Sequence, residues 1–244
     1  MKIVIATGIY PPNIGGPATY SKLLFDELPK RGIDVKVVSF DSVIKYPKGI
    51  RHILFFLKVL IAGRKVDVIY AQDPVSVGLP SMWASKILKK KYLLKIVGDY
   101  AWEQSVQRYG VSDILDDFVE HSYGPEVERL KKIEKKVARH ADKIIVPSCY
   151  LKRIVTKWGI DDEKIHVIYN AFDEVEDFDR QELRNIFRFN SPIIMSAGRL
   201  VPWKGFDALI SCMTELKDSI PGLRLYIAGE GPDKEKTLIN SKVK

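Results

Sequence analysis

Two cations flank a predicted strand-to-helix loop in the stretch GRLVPWKGFD, which follows the apolar run SPIIMSAG. Arg199 offers a fork of hydrogen-bond donors, and Lys204 offers a mobile point charge. The helix start expected near Gly205 adds the positive end of a helix dipole. This combination suits a diphosphate, because each charge-assisted hydrogen bond contributes about 1.5–3 kcal/mol. An ordinary basic turn is the alternative interpretation.

A glycine-containing loop, GIYPPNIGGPATY, follows the first apolar run of the sequence. Gly15 and Gly16 precede a predicted helix start, where backbone N–H groups and the helix dipole favour a phosphate or a sugar oxygen. The loop is longer than the G-x-G-x-x-G dinucleotide motif and contains two prolines, which disfavours an NAD-dependent oxidoreductase. A helix-start turn that uses glycine for its backbone freedom is the structural alternative.

Carboxylates follow two other predicted strands. Asp99 and Glu103 stand in DYAWEQ, directly after YLLKIVG, and Asp73 follows the run VDVIYAQ. Asp99 and Glu103 are candidate ligand contacts, although exposed loop acids are common. Asp73 is predicted to be a turn or helix-cap residue.

Strands and helices alternate along the whole sequence, which predicts an α/β fold with right-handed crossovers and an open parallel sheet. In such sheets ligands bind beyond the carboxyl ends of the strands, which is where the loops above lie. The predicted strands are KIVIAT, IDVKVVSF, VDVIYAQ, YLLKIVG, DKIIVPS and KIHVIYN, with helices in PATYSKLLFDELPKRG, RHILFFLKVLIAGRK, VGLPSMWASKILKKK, residues 126–140 and YLKRIVTKWG.

The pattern changes at AFDEVEDFDRQE, an acidic, non-periodic stretch typical of a domain linker. We therefore predict a complete N-terminal domain over residues 1–172, a linker over 173–190 and a second domain over 191–244. The second domain is predicted to have a strand at 193–197, a helix at 205–216 and a strand in LRLYIAG. Two strands are few for an independent sheet, so we expect 191–244 to be the first part of a larger domain.

Lys and Arg outnumber Asp and Glu by 39 to 31, and the pI is near 9.2. This balance favours anionic partners. Nucleic acid is not expected among them, because no basic motif is interleaved with aromatic residues. Cys149 and Cys212 lie in apolar periodic segments and are predicted to be buried, reduced thiols. No cysteine or histidine cluster indicates a metal site.

The sequence begins with an apolar run and then Pro-Pro, which predicts a buried strand and no signal peptide, so we expect a cytoplasmic location. The segment RHILFFLKVLIAGRK is broken by Lys58 and is shorter than the ~20 residues needed to span a bilayer. It predicts an amphipathic helix packed on the sheet. A helix lying on anionic lipid, at the inner membrane face, is the second interpretation.

Together these motifs resemble the family-4 retaining glycosyltransferases, which have the two-domain GT-B fold. The resemblance covers nearly the whole chain, and the pair GRLVPWKG and AGEGP is its most specific part. It is carried by PPNIGGPATY, DVIYAQDP, ADKIIVPSCYLK, VIYNAFD, SAGRLVPWKGFD and LYIAGEGP.

The resemblance implies sugar transfer from a nucleoside diphosphate donor to the hydroxyl of a sugar or lipid-linked acceptor, with retention, without a metal and without a cofactor besides the donor. The residues that match Arg199 and Lys204 neutralise the leaving diphosphate in the family. The first domain normally binds the acceptor and the second binds the donor. The resemblance further implies donor contacts at Gly229, Glu230 and Gly231. It also implies that the loop with Gly15 and Gly16 contacts the donor phosphates and lies against the acceptor.

Two features depart from the family pattern. Members often have a histidine that contacts the transferred sugar where this sequence has Asp99 nearby, so Asp99 becomes the third catalytic candidate. The E-x7-E motif of the family's donor domain does not follow Gly231. The alternative hypothesis is therefore a non-catalytic acceptor-binding module, completed by a partner chain or by self-association.

Overall fold

The computed structural model describes residues 1–171, 177–235 and 237. Contacts divide the chain into unit 1, residues 1–105 and 111–170, and unit 2, residues 106–110 and 171–244. Parts of the predicted linker (173–176) and of the predicted second domain (236 and 238–244) lie outside the described residues.

Unit 1 contains the predicted open sheet, with six parallel strands in the order β2-β1-β3-β4-β5-β6. The fold is α/β, as the alternation predicts, and the parallel sheet is Rossmann-like. All six strands of the first predicted domain are confirmed. Their bounds are β1 Lys2–Thr7, β2 Asp34–Ser39, β3 Val68–Ala71, β4 Lys91–Lys95, β5 Lys143–Val146 and β6 Ile165–Val167.

Strand β1 lies inside the sheet, hydrogen-bonded to β2 and β3. Val4, Ile5 and Ala6 are fully buried in succession. Successive side chains point to opposite faces, so a continuous apolar run is what a parallel strand needs when both of its faces are covered. One large cluster of buried residues fills one side of the sheet, and a smaller one lies under the first helix.

Helices connect the strands of unit 1. The first begins at Gly16 with Pro17 in its first turn, where the missing N–H has no helical partner to lose. The bounds of the helices are α1 Gly16–Glu27, α2 Lys48–Gly63, α3 Gly78–Leu88, α4 Tyr100–Arg108, α5 Leu115–Phe118, α6 Pro125–His140 and α7 Cys149–Lys157.

Helices α4 and α5, like α8 (Arg180–Ile186) in unit 2, lie in segments where the sequence predicts no helix. The start of α8 is capped by Asp179, whose carboxylate accepts hydrogen bonds from the backbone N–H groups of Gln181 and Glu182. Such local capping stabilises a short helix in a polar segment without the apolar periodicity that marks longer helices.

Among the described residues of unit 2 there are two parallel strands, β7 (Ile193–Ala197) and β8 (Arg224–Ala228), joined by α9 (Phe206–Ser219). The predicted strand at 193–197 is confirmed residue for residue. No residue of either strand is buried. A cavity of about 500 Å³ lies beside α9 and β8, lined by apolar side chains such as Ile210, Leu225 and Ile227 and also by Lys217 and Lys234.

The prediction that both cysteines are buried is wrong, because Cys149 and Cys212 are exposed. Cys149 is the first residue of α7, ahead of its buried face. Cys212 follows buried Ile210 by two positions, which turns it away from the core side of α9. Both are free thiols.

Candidate active site

The loop between β7 and α9 carries the two predicted cations on a buried base. Leu200 and Val201 are 5% and 3% exposed and anchor the loop, whereas Arg199 and Lys204 are exposed. Gly205 has a φ of 71°, in the left-handed region that favours glycine, and precedes α9. The chain therefore holds one cation on each side of an apolar anchor, ahead of a helix N-terminus.

The loop after β8 lies against this cation loop. The N–H of Gly198 donates to the Ala228 carbonyl at 2.9 Å, and the N–H of Leu200 donates to the Glu230 carbonyl at 2.9 Å. A Cβ on Gly229 would lie 1.9 Å from the Gly198 carbonyl oxygen. A Cβ on Gly231 would lie 2.1 Å from the Leu200 carbonyl oxygen. The two glycines of AGEGP are therefore required for the backbones to approach.

The charge of the cation loop is not neutralised within the part of the chain that the structure describes. No described carboxylate forms an ion pair with Arg199 or Lys204. Glu230, the acid nearest in sequence on the facing loop, pairs with Lys234 at 2.7 Å. An exposed guanidinium group and an exposed ammonium group beside a helix N-terminus can together bind a phosphate-containing anion.

In unit 1, Gly15 directly precedes α1, and Gly16 is the first residue of that helix. Gly15 has a φ of 152°, and a Cβ there would lie 2.8 Å from Cδ1 of Ile9. A Cβ on Gly16 would meet open space. No side chain caps the start of α1. Asp41 fixes the preceding loop, accepting hydrogen bonds from the Tyr10 N–H and from Nδ2 of Asn13.

Asp99 is 2% exposed and caps α4, with Oδ1 accepting from the Trp102 N–H at 2.8 Å. Beside it, Oε2 of buried Glu134 accepts from the Ala101 N–H at 2.9 Å. Burial raises the pKa of Asp99. Burial and the neighbouring Asp99 carboxylate raise the pKa of Glu134 well above its usual value. The structure thus gives Asp99 a capping role, and its contact with a sugar stays a prediction.

The other acids after the strands also have structural contacts. Asp73 accepts from the N–H groups of Val75 and Val77, as predicted for a turn residue. The Glu103 carboxylate lies over Gly98, where a Cβ would be 2.5 Å from Oε1.

Two buried polar residues at the carboxyl edge of unit 1 were not predicted as site residues. Lys95 ends β4 and is 3% exposed, with Nζ 3.0 Å from the centre of the Tyr20 ring and 3.3 Å from Oδ1 of Asn170. Burial lowers the pKa of Lys95 to about 8. Gln72 follows β3, and its Nε2 is buried without a partner among the described residues.

A signal for these residues is present in the sequence. A lysine that ends an apolar strand, and a glutamine directly after another, interrupt runs that a buried parallel strand would otherwise continue. Buried polar groups need partners, so such interruptions at the carboxyl edge are candidates for ligand contacts.

The structure brings together the predicted residues of unit 2, on two hydrogen-bonded loops. In unit 1, Gly15, Gly16 and Asp99 follow β1 and β4 at one edge of one sheet. Among the described residues, no group of three or more His, Cys, Asp or Glu side chains could hold a metal ion. None of the helices described is both long and apolar enough to cross a membrane.

Comparison with known proteins finds relatives for both parts of the chain. The sequence model of Glycosyltransferase Family 4 matches residues 14–176, and that of Glycosyl transferases group 1 matches residues 179–242. Mannosylfructose-phosphate synthase of Agrobacterium fabrum is 30% identical over 116 residues, 44% of this chain and 26% of that protein. The uncharacterized glycosyltransferase YqgM of Bacillus subtilis is 29% identical over 175 residues, 71% of this chain and 42% of that protein.

Solved structures share the fold. Anabaena HepE in complex with UDP and glucose has a TM-score of 0.67 at 17% identity, covering 100% of this chain and 65% of that one. Sucrose-phosphate synthase of Thermosynechococcus elongatus has a TM-score of 0.67 at 15% identity, covering 99% and 66%. This chain thus spans about two thirds of these structures and less than half of the curated relatives. The first family match extends over most of the chain, which belongs to Glycosyltransferase Family 4.

Proposed function

We propose that this protein transfers a sugar from a nucleoside diphosphate donor to an acceptor hydroxyl. The observation that carries the proposal is the cation loop, with Arg199 and Lys204 exposed beside the start of α9 and unpaired with any described carboxylate. HepE, which shares the fold, has been crystallised with UDP and glucose. We therefore propose that the anion bound by the cation loop is the diphosphate of a nucleoside diphosphate sugar.

The proposed role of the two cations is to stabilise the leaving group. As the bond between the anomeric carbon and the diphosphate oxygen breaks, negative charge grows on the diphosphate. Arg199 offers a planar fork and Lys204 a point charge, and preplaced charges of this kind stabilise the transition state more than the ground state. Since these side chains supply the positive charge, we propose transfer without a metal ion, and the family resemblance supports retention at the anomeric carbon.

We place the acceptor at the carboxyl edge of unit 1. Gly16 leaves open space at the uncapped start of α1, and Lys95 and Gln72 at the sheet edge contact Tyr20 and Ser21 of the same helix. Lys95 suits an acceptor that carries an anionic group, such as a phosphate. Lys95→Met and Gln72→Leu are expected to raise the KM for acceptor and to leave the affinity for free nucleoside diphosphate unchanged.

A nucleotide-sugar screen tests the proposal. UDP-, GDP- and ADP-sugars are incubated with the 244-residue chain, and release of nucleoside diphosphate is measured with and without candidate acceptors and with EDTA. We expect release from one donor class, insensitivity to EDTA, and a product whose anomeric configuration by NMR matches that of the donor. Loss of activity in EDTA would overturn transfer without a metal ion. A product with inverted anomeric configuration would overturn retention. Absence of both turnover and donor binding favours the acceptor-binding module.

A further inference from the structure

Helix α2 exposes a row of large apolar side chains. Ile50, Ile53, Leu57 and Ile61 are spaced three or four residues apart, so they share one face of the helix, and each is between 42% and 65% exposed. The opposite face, with Phe55, Val59 and Gly63, is buried on the sheet. The helix is therefore apolar on its solvent side as well as on its core side.

Helix α3 extends this surface. Trp83 and Ile87 of α3 are 43% and 61% exposed. They line a groove of about 380 Å³ together with Ile53 and Phe56 of α2. Contiguous exposed apolar surface of this kind is uncommon on soluble monomers and marks a binding surface for protein or membrane.

The surroundings of this surface are strongly basic. Residues 42–66 and 74–94, which contain α2 and α3, hold ten of the 39 Lys and Arg residues and none of the 31 Asp and Glu residues. The rest of the chain therefore has two more acidic than basic residues, so these two segments account for the positive net charge. Beside the groove, the ammonium groups of Lys86 and Lys136 lie 5.2 and 5.0 Å from the centre of the Trp83 ring.

We propose that the α2–α3 surface, defined as the exposed apolar side chains of α2 and α3 and the surrounding cations, docks on an anionic lipid bilayer. An apolar helix face flanked by lysines and containing a tryptophan has the composition of an interfacial helix, whose apolar side enters the acyl boundary while cations contact lipid phosphates. A protein partner would need an apolar ridge surrounded by acids. The absence of any acid in these two segments favours a surface of uniform negative charge.

In this arrangement the protein attaches to one face of the bilayer and does not cross it. No described helix is both long and apolar enough to cross a membrane, and the buried face of α2 belongs to the core of unit 1. Binding therefore has two contributions, insertion of apolar side chains and attraction between cations and phosphates. The second weakens as salt is added, because the attraction is screened.

Vesicle flotation with the 244-residue protein tests this inference, with phosphatidylcholine vesicles compared with vesicles that also contain phosphatidylglycerol. We expect flotation only with the anionic vesicles and release in high salt. Ile53→Gln with Ile87→Gln should reduce the partition coefficient about tenfold or more, since two buried aliphatic side chains are lost. Lys86→Glu with Lys136→Glu, which reverses the two charges beside Trp83, should reduce it about fivefold for each cation removed.

Matched controls change the same residue types elsewhere in unit 1. Leu23→Gln with Ile114→Gln replaces exposed apolar residues outside the α2–α3 surface, and Lys36→Glu with Lys143→Glu makes the same charge change. Each control should float as well as the unchanged protein, provided that circular dichroism shows equal folding. The proposal is overturned if anionic vesicles do not bind, if controls and test variants lose binding equally, or if light scattering shows a dimer that only the Ile53 and Ile87 changes dissociate. Flotation is independent of sugar transfer, so the two proposals can fail separately.

Discussion

Unit 1 and unit 2 both place their candidate site residues at the carboxyl ends of parallel strands, but they bury very different amounts of apolar surface. In unit 1, a six-stranded sheet has three fully buried apolar residues in succession within β1. In unit 2, no residue of β7 or β8 is buried, and the buried apolar residues described are Leu200, Val201, Phe206 and Ile210.

The cation loop therefore keeps its conformation without a deep core. It is fixed by backbone hydrogen bonds from Gly198 and Leu200 and by the absence of side chains at Gly229 and Gly231. The residues proposed to act on the diphosphate therefore lie in the unit with the smaller described core. We therefore expect unit 1 to be the more stable unit and unit 2 to contain the residues that act on the diphosphate.

Hydrogen exchange should show the largest contrast. We expect amides in β1, β3 and β4 to exchange at least about three orders of magnitude more slowly than those in β7 and β8, because exchange of buried core strands requires global unfolding. The measurement is made on a preparation shown by light scattering to be monomeric. Equal protection of both sets of strands would show that unit 2 is as stable as unit 1 despite its smaller described core.

Removing either cation should affect chemistry and leave stability unchanged. Arg199→Ala and Lys204→Ala are each expected to lower kcat about 10²- to 10³-fold, with KM changing less, since the charges act on the leaving group. Arg180→Ala, another exposed cation in unit 2, is the control and should retain activity. Full kcat/KM in both test variants would remove these residues from the proposed mechanism.

Gly229→Ala should destabilise unit 2 selectively, because its Cβ would overlap the Gly198 carbonyl oxygen. We expect a loss of about 1–3 kcal/mol or more, seen as faster exchange in β7 and β8 with unit 1 unaffected. Gly49→Ala, near the start of α2 with open space around it, should be neutral or slightly stabilising. Unchanged exchange in Gly229→Ala would show that the two loops are not held as described.

Much of this fold was predictable from sequence because its strands are apolar runs and its long helices have clear periodicity. The six strands of unit 1, β7, β8 and the position of the cation loop all came from such local patterns. Helix α4 did not, since its start is fixed by Asp99 and by Glu134, a residue more than 30 positions away in the sequence. The exposure of Cys149 and Cys212 depends on which side of a helix packs, and two-residue offsets decide it.

Two substitutions of Asp99 distinguish its role as the cap of α4 from a role in sugar transfer. Asp99→Ala should lower the stability of unit 1 by about 1–2 kcal/mol through loss of the α4 cap. In the folded protein it should also depress transfer and leave the affinity for free nucleoside diphosphate unchanged. Asp99→Asn keeps an oxygen for the Trp102 N–H and should restore stability. If it also restores full transfer, the carboxylate charge has no part in the reaction.

Glu134 should make the free energy of unfolding of unit 1 depend on pH, which is the smallest of the effects expected here. Its folded-state pKa is raised well above 4.5 by burial and then by Asp99, so the folded state holds a proton that the unfolded chain releases. The contribution of Glu134 to stability is therefore fully present below about pH 4.5 and declines as pH rises through the folded pKa, with a slope of at most about 1.4 kcal/mol per pH unit. Glu134→Gln should flatten this decline in urea unfolding measured across the pH range, because an amide does not titrate. Exposed Glu163→Gln is the control and should leave the slope unchanged. A Glu134→Gln profile parallel to that of the unchanged protein would show that the buried Asp99–Glu134 pair does not keep its proton, and that unit 1 tolerates two adjacent buried charges.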